Sequence, residues 1–259
     1  MHKITFLGTA GGRFVILTQR RYSGGIWLEF DNVTISLDPG PGALIRALQF
    51  GKSPQKLNAI FVSHNHLDHY NDAEVLIEAM TYGMKKNRGI FATNEETLPY
   101  ISEYHKKAVE VLSLKPNSEF NIKNLKIVAL PTYRHSNAIG FKFFTEKGIV
   151  TYSADTAYSE ELAQYYQNSK ILILNVIFPY SKEIETHLNT KNAIKLIKEA
   201  NPEVAIITHF GMQFLNSSPE KEAKLIEENS GIRTIAARDG LSIDLEKFKS
   251  KESEQLKLI

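Results

Sequence analysis

The sequence predicts an α+β fold in which two mixed β-sheets pack face to face with helices outside. Three observations predict it. Hairpin-like strands come first and alternating strands and helices follow, and this order occurs in both halves of the chain. Strand-length runs such as Ile171-Leu172-Ile173-Leu174 are apolar throughout, as expected where a sheet is covered on both faces. The 259 residues can bury a large core unaided, and they must, because there is no cysteine to cross-link them.

Residues 3–7 read as a first strand, closed by Gly8-Thr9-Ala10-Gly11-Gly12, a turn rich in residues that tolerate positive φ. Residues 13–18 read as extended and 19–25 as a loop. Strands over 26–30 and 33–37 flank Asp31-Asn32, a tight hairpin turn. Asp38-Pro39-Gly40-Pro41-Gly42 ends this meander, and 43–50 has helical spacing before a buried strand at 59–62. Helices are expected over 72–84 and 94–107, with a short strand between them at 89–93. The second half repeats the scheme: strands at 125–130, 139–145 and 148–152, a helix at 159–167, and a strand at 170–175. A helix at 190–200 follows, with Thr190 as its expected cap and Asn201-Pro202 as its stop. A strand at 204–208, a helix at 219–228 and strands at 232–236 and 241–244 close the fold. Residues 1–245 are expected to form one domain, and 246–259 a charged tail.

Composition excludes several classes of function. Lys and Arg number 31 against 29 Asp and Glu, so the net charge of +2 does not suit a strongly basic nucleic-acid-binding protein. Without cysteine there is no thiolate ligand and no Cys nucleophile. The first residues enter a strand pattern directly, and no apolar run approaches membrane-spanning length. The expectation is a soluble cytoplasmic protein without membrane partners.

The chemistry gathers in His64-Asn65-His66-Leu67-Asp68-His69. The stretch follows the apolar run Ala59-Ile60-Phe61-Val62 and precedes a helical pattern, so it is a loop at the mouth of a buried strand. Residues two apart on an extended backbone point the same way, which lets His64 and His66 face one ion. Asp68 and His69, where the chain turns into the helix, can face a second. Imidazole and carboxylate are ligands that zinc and similar cations accept. A lone His is most often a solvated or satisfied residue. Three His and one Asp within six residues are not accounted for that way. Further His and Asp residues follow other apolar strands: His135, Asp155 and His209. Ligand sites of sheet proteins gather at strand ends.

This set, with Asp38 after the hairpin, resembles the ligand signature of the metallo-β-lactamase superfamily, in order and over nearly the whole chain. The resemblance implies a four-layer αββα sandwich with a dinuclear site on one edge. It implies that His64, His66 and His135 hold one metal, that Asp68, His69 and His209 hold the second, and that Asp155 bridges them. Flavodiiron oxygen reductases of the superfamily usually carry Glu where this chain has His66, so His66 favours hydrolysis with two divalent ions, Zn2+ or alternatively Mn2+. Such a pair lowers the pKa of bound water to about 7. Two divalent ions, two carboxylates and a bridging hydroxide leave the centre positive, which suits a phosphodiester without excluding a lactone or thioester.

His187 lies in Glu185-Thr186-His187-Leu188-Asn189-Thr190, ahead of a helix and the strand that delivers His209. This layout, and the opening Leu7-Gly8-Thr9-Ala10-Gly11-Gly12, are similar to the phosphodiesterase branch, which holds tRNA 3′-processing endonucleases and phosphonate-pathway cyclic phosphodiesterases. There the corresponding His is the proton donor to the leaving oxygen, so Asp68 and His187 are the catalytic candidates. The endonucleases usually carry Glu beside that His, where this chain has Leu188. No Gly/Pro/Lys-rich insertion resembles their tRNA-gripping arm, which favours a small phosphodiester or nucleotide over RNA. Arg20 and Arg21 are candidates for reaching a phosphate, Ser136 for shaping the pocket and Thr156 for supporting a ligand. The alternatives are tRNA 3′ processing, lactone or thioester hydrolysis, and a metal-binding subunit of a nucleic-acid-processing complex. Many relatives dimerise, so a homodimer is a further expectation.

Overall fold

A computed structural model describes residues 2–135 and 137–247. Ser136 and the tail beyond Lys247 lie outside the described residues.

The first sheet runs β15-β1-β2-β3-β4-β5-β6. Its strands are β1 (Lys3–Phe6), β2 (Ile26–Phe30), β3 (Val33–Leu37), β4 (Ala59–Phe61), β5 (Ile90–Asn94), β6 (Glu110–Leu114) and β15 (Ser242–Asp244). The second runs β14-β13-β11-β10-β9-β8-β7, with β12 also paired to β11. It holds β7 (Glu119–Ile122), β8 (Leu125–Leu130), β9 (Gly140–Thr145), β10 (Gly148–Tyr152), β11 (Ser169–Phe178), β12 (Leu188–Asn189), β13 (Val204–Thr208) and β14 (Thr234–Ala236). Each sheet is mixed. The pairs from β15 to β3 and from β7 to β10 are antiparallel, and β3 to β6 and β10 to β14 are parallel.

Alternation along the buried strands builds three apolar layers. Ile171 and Ile173 of β11 and Ile206 of β13 point between the sheets, where they join Ile4, Phe6, Phe61, Phe141 and Phe143. Leu172, Leu174 and Ile207 point to the opposite face, onto α6 (Glu160–Tyr166), α7 (Thr190–Ala200) and α9 (Pro219–Ser230). On the outer face of the first sheet, Ile60 and Val62 meet α2 (Ala43–Gln49) and α4 (Ala73–Met80). Strands buried on both faces need no polar side, which is why these runs are solidly apolar. The result is the αββα sandwich. Asp31 and Asn32 both take positive φ (48° and 64°), as a tight two-residue hairpin turn requires.

Some local expectations are overturned. Residues 13–18, expected to be extended, form the helix α1 (Arg13–Thr18); only Val15 of it is buried, while Phe14 and Leu17 are 74% and 80% exposed. Residues 94–107 are not one helix. Asn94 ends β5, a 3-10 turn covers Leu98–Tyr100, and α5 is only Glu103–Lys106, because Pro99 cannot donate a backbone hydrogen bond in mid-helix. The cap of α7 is Asn189, whose side chain accepts from Asn192 N, whereas the Thr190 hydroxyl donates to Glu222. Two further helices are α3 (Leu67–Tyr70) and α8 (Met212–Ser217). No helix among the described residues is long and apolar enough to cross a membrane.

Candidate metal centre

Both sheets deliver ligand-capable groups to one edge. The first sends the loop from β4 into α3, carrying His64, His66, Asp68 and His69; the second supplies His135 after β8, Asp155 after β10 and His209 after β13. The exits are sharply bent. Asp38, Arg134, Ala154 and His209 all take left-handed φ (52°, 51°, 55° and 64°) without being glycine. Such conformations cost about 1–3 kcal/mol each and persist where the surroundings enforce them. Close packing does so here. A Cβ on Gly11 would lie 2.2 Å from the His209 carbonyl oxygen, and one on Gly40 would lie 2.1 Å from that of Asp68.

The gathered atoms fall into two groups, His64, His66, His135 and Asp155 in one and Asp68, His69 and His209 in the other, each within 4.8 Å of mutual separation. His64 Nε2 lies 2.9 Å from His66 Nδ1 and 3.3 Å from His135 Nε2. His209 Nε2 is 3.6 Å from Asp68 Oδ2. Asp155 Oδ2 stands between the groups, 3.9 Å from His135 Nε2, 3.7 Å from His69 Nε2 and 3.3 Å from His209 Nε2. Ligands about 2.0–2.2 Å from a tetrahedral ion sit about 3.3–3.6 Å from one another, so these spacings suit cations at the two centres.

Supporting hydrogen bonds fix how these side chains are turned. Asp38 Oδ2 accepts from Ser63 Oγ (2.7 Å) and Tyr152 OH (2.7 Å) and lies 2.8 Å from His69 Nδ1. With Nδ1 so engaged, His69 presents Nε2 inward, and that atom is buried with no hydrogen-bond partner. An orphaned imidazole nitrogen facing two carboxylates fits a divalent cation. Asp155 Oδ1 accepts from Asn175 Nδ2 (2.7 Å), leaving Oδ2 for the cluster. Asp68 Oδ2 accepts from Gly12 N (3.2 Å), which gives the glycine-rich first turn a role at the site. Ser63, Tyr152 and Asn175 were not singled out from the sequence. The available signal was Asn175 itself, a polar residue inside an apolar strand.

Electrostatics fit the same picture. Burial holds His64 well below its ordinary 6.5 and lowers His135 to about 4, so both stay neutral and ligand-competent. Burial, the largest influence on Asp155 and Asp68, raises them, yet neighbouring His69 and His209 bring both below 3.8, Asp155 well below. Burial also opposes charging of His69, but Asp38, Asp155 and Asp68 outweigh it and raise His69 well above 6.5. His69 therefore carries the proton that a cation would displace.

A pH dependence follows for protein stripped of metal. His69, raised, contributes stability that is complete below pH 6.5 and is lost as pH climbs through its elevated value. His64 and His135, lowered, contribute stability that is complete above pH 6.5 and is lost as pH falls, through about 4 for His135. Melting temperature after chelator treatment should peak near pH 6.5 and fall on both sides; restored metal should flatten the alkaline limb, where it takes the place of the His69 proton, and steepen the acid limb, where protons compete with it for the imidazoles. A flat profile without metal would contradict this charge arrangement.

Other expected residues lie as follows. His187 Nε2 is 3.5 Å from Asp155 Oδ2, its ring is 4.7 Å from that of His135, and its Nδ1 is 2.9 Å from Thr186 Oγ1. Thr156 is fully buried; its hydroxyl accepts from Tyr133 N (2.9 Å) and donates to Ala157 O (2.9 Å), holding the loop that carries His135. Arg20 is exposed and donates to Asn216 Oδ1 on α8 (2.6 Å), with the partly exposed Arg21 beside it.

Fold and site together define a metal-dependent hydrolase. The chain belongs to the beta-lactamase superfamily, whose domain matches residues 34–210. The uncharacterized protein MJ1374 of Methanocaldococcus jannaschii is 36% identical over 255 residues, covering 94% of this chain and 95% of that one. Ribonuclease Z of Archaeoglobus fulgidus is 25% identical over 307 residues, covering 95% of this chain and 98% of the enzyme. The crystal structure of a diphosphatase from the PhnP family matches with a TM-score of 0.74 at 19% identity, covering 96% of this chain and 99% of that one, a likeness of fold.

Proposed function

We propose that this protein is a dinuclear metal-dependent phosphodiesterase acting on a small or cyclic phosphodiester, with His187 as proton donor to the leaving oxygen. The observation that carries the reading is His187 Nε2 facing the cluster, 3.5 Å from Asp155 Oδ2. In this reading His64, His66 and His135 hold one cation and Asp68, His69 and His209 the other, with Asp155 shared. Zinc is the proposed ion and manganese the alternative. When bound, the pair supplies Lewis-acid charge and activates water at neutral pH. Asp38 and Asn175 orient His69 and Asp155, so the ligand atoms need little rearrangement. Thr186 fixes the far nitrogen of His187, leaving Nε2 to hold the transferable proton. The name of a ribonuclease among the relatives supports a phosphodiester substrate, and that of a diphosphatase among the structural neighbours supports attack at phosphorus.

Purified protein loaded with zinc or manganese should hydrolyse bis(p-nitrophenyl) phosphate and a cyclic nucleotide. No turnover with either ion would sink the proposal. Cleavage of precursor tRNA alone would replace it with tRNA 3′ processing, a reading favoured by the full-length match to ribonuclease Z. Turnover only of lactones or acyl-glutathione would replace it with carboxylic ester chemistry. Co-purification with partner chains and inactivity on every ester would replace it with a subunit role.

The segment carrying His187 is held at both ends by one buried carboxylate. Glu222 Oε2 on α9 accepts from Tyr180 N (3.1 Å) and from Thr190 Oγ1. Glu222→Ala leaves both donors without a partner and should cost about 1–3 kcal/mol of stability, read from a denaturant titration of the loaded enzyme. An unchanged midpoint would show that the segment does not depend on this anchor.

A further inference from the structure

A small cavity of about 20 Å³ lies against the second ligand group. Asp68, His69 and His209 border it, whereas Asp155 and the His64 and His66 pair do not; its remaining wall includes Ser23, Tyr152 and Asn175. It lies on the second group's side of the site, toward the loop before β2 and the end of β11. Ser23 and Asn175 are 3% and 4% exposed. Ser23 Oγ and Asn175 Oδ1 are both buried without a hydrogen-bond partner. Burying such atoms unpaired is costly, and proteins commonly satisfy them with internal water. A water needs about 10–15 Å³, which this cavity exceeds.

The direction of the bonds is constrained. Asn175 Nδ2 donates to Asp155 Oδ1 (2.7 Å) and to Tyr152 OH (3.0 Å). Turning the amide over would set Oδ1 against the Asp155 carboxylate, so Oδ1 is the atom left to accept from another donor. The Ser23 hydroxyl can donate or accept.

We infer that this cavity holds one internal water, accepting from Ser23 Oγ and donating to Asn175 Oδ1, which makes Ser23 a remote positioning residue for Asp155. The water fixes the orientation of the amide and polarises it, strengthening the bond that holds the Asp155 carboxylate. Ser23 touches neither substrate nor cation in this arrangement. It acts through the water and Asn175, and part of the function of the loop before β2 is to supply that hydroxyl.

The inference rests on the proposed reading of Asp155 as a shared ligand only for its effect on metal affinity. A crystal structure of the metal-loaded enzyme should show density for a water within hydrogen-bond distance of Ser23 Oγ and Asn175 Oδ1. An empty cavity, where other internal waters are ordered, overturns the inference. Ser23→Ala should weaken zinc binding about tenfold in a chelator competition, as loss of outer support to a ligand does. Ordered water with unchanged zinc affinity in Ser23→Ala overturns the positioning role. The density does not depend on substrate, so an enzyme inactive on every phosphodiester would lose the proposed function and still test the water.

Discussion

Asp155→Ala is expected to reduce turnover of bis(p-nitrophenyl) phosphate by about 10³-fold or more, beyond the cost of losing a single charge-stabilising donor. The carboxylate faces His69, His135, His187 and His209 at 3.3–3.9 Å, so one substitution removes a partner from both ligand groups and from the proposed proton donor. It also strands the Asn175 amide that donates to it. Metal content per chain should fall in parallel, measured by elemental analysis after dialysis. Asp155→Asn keeps the volume but not the charge, and should lie between alanine and the parent. Full metal content with turnover within about tenfold of the parent would remove Asp155 from the centre of the mechanism.

His187→Ala should separate substrates by their leaving group. An alkoxide leaves poorly unless it is protonated, so hydrolysis of a cyclic nucleotide should slow by about 10²–10⁴-fold, the usual worth of a general acid. Nitrophenolate leaves without help, and bis(p-nitrophenyl) phosphate should slow by less than about tenfold. The side chain is 21% exposed and sits on a surface segment, so the variant should fold and retain its metals. Equal losses on both substrates would assign His187 to substrate binding and remove the proton-transfer role.

The parts of the fold and site that were legible share a physical cause. Ile171 to Leu174 and Val204 to Thr208 are buried on both faces, so their apolar runs mark strands without reference to the rest of the chain. His135, Asp155 and His209 could be placed because each follows such a run. Residues 13–18 read as extended because four consecutive apolar side chains, Phe14 to Leu17, imitate a buried strand, although this short helix buries only Val15 of them. The strands β6 and β7 went unrecognised because Glu110, Ser113, Glu119 and Asn121 are exposed and break the apolar pattern, as is common at the edges of sheets. The supporting partners were harder still. Tyr152 reaches Asp38 across 114 positions of sequence, and a single Tyr or Asn announces no such contact. Of the candidates, Ser136 lies outside the described residues, and so does the tail beyond Lys247.

The left-handed exits of β3, β10 and β13 also bear on how the molecule assembles. Neither half of the chain owns a complete cradle. The loop after β4 comes from one sheet, and His135, Asp155 and His209 come from the other. A cation held at this rim by groups from both would rivet the two leaves of the sandwich together. Loaded protein then resists prying apart along the rim by the differential affinity of the closed form for the ion.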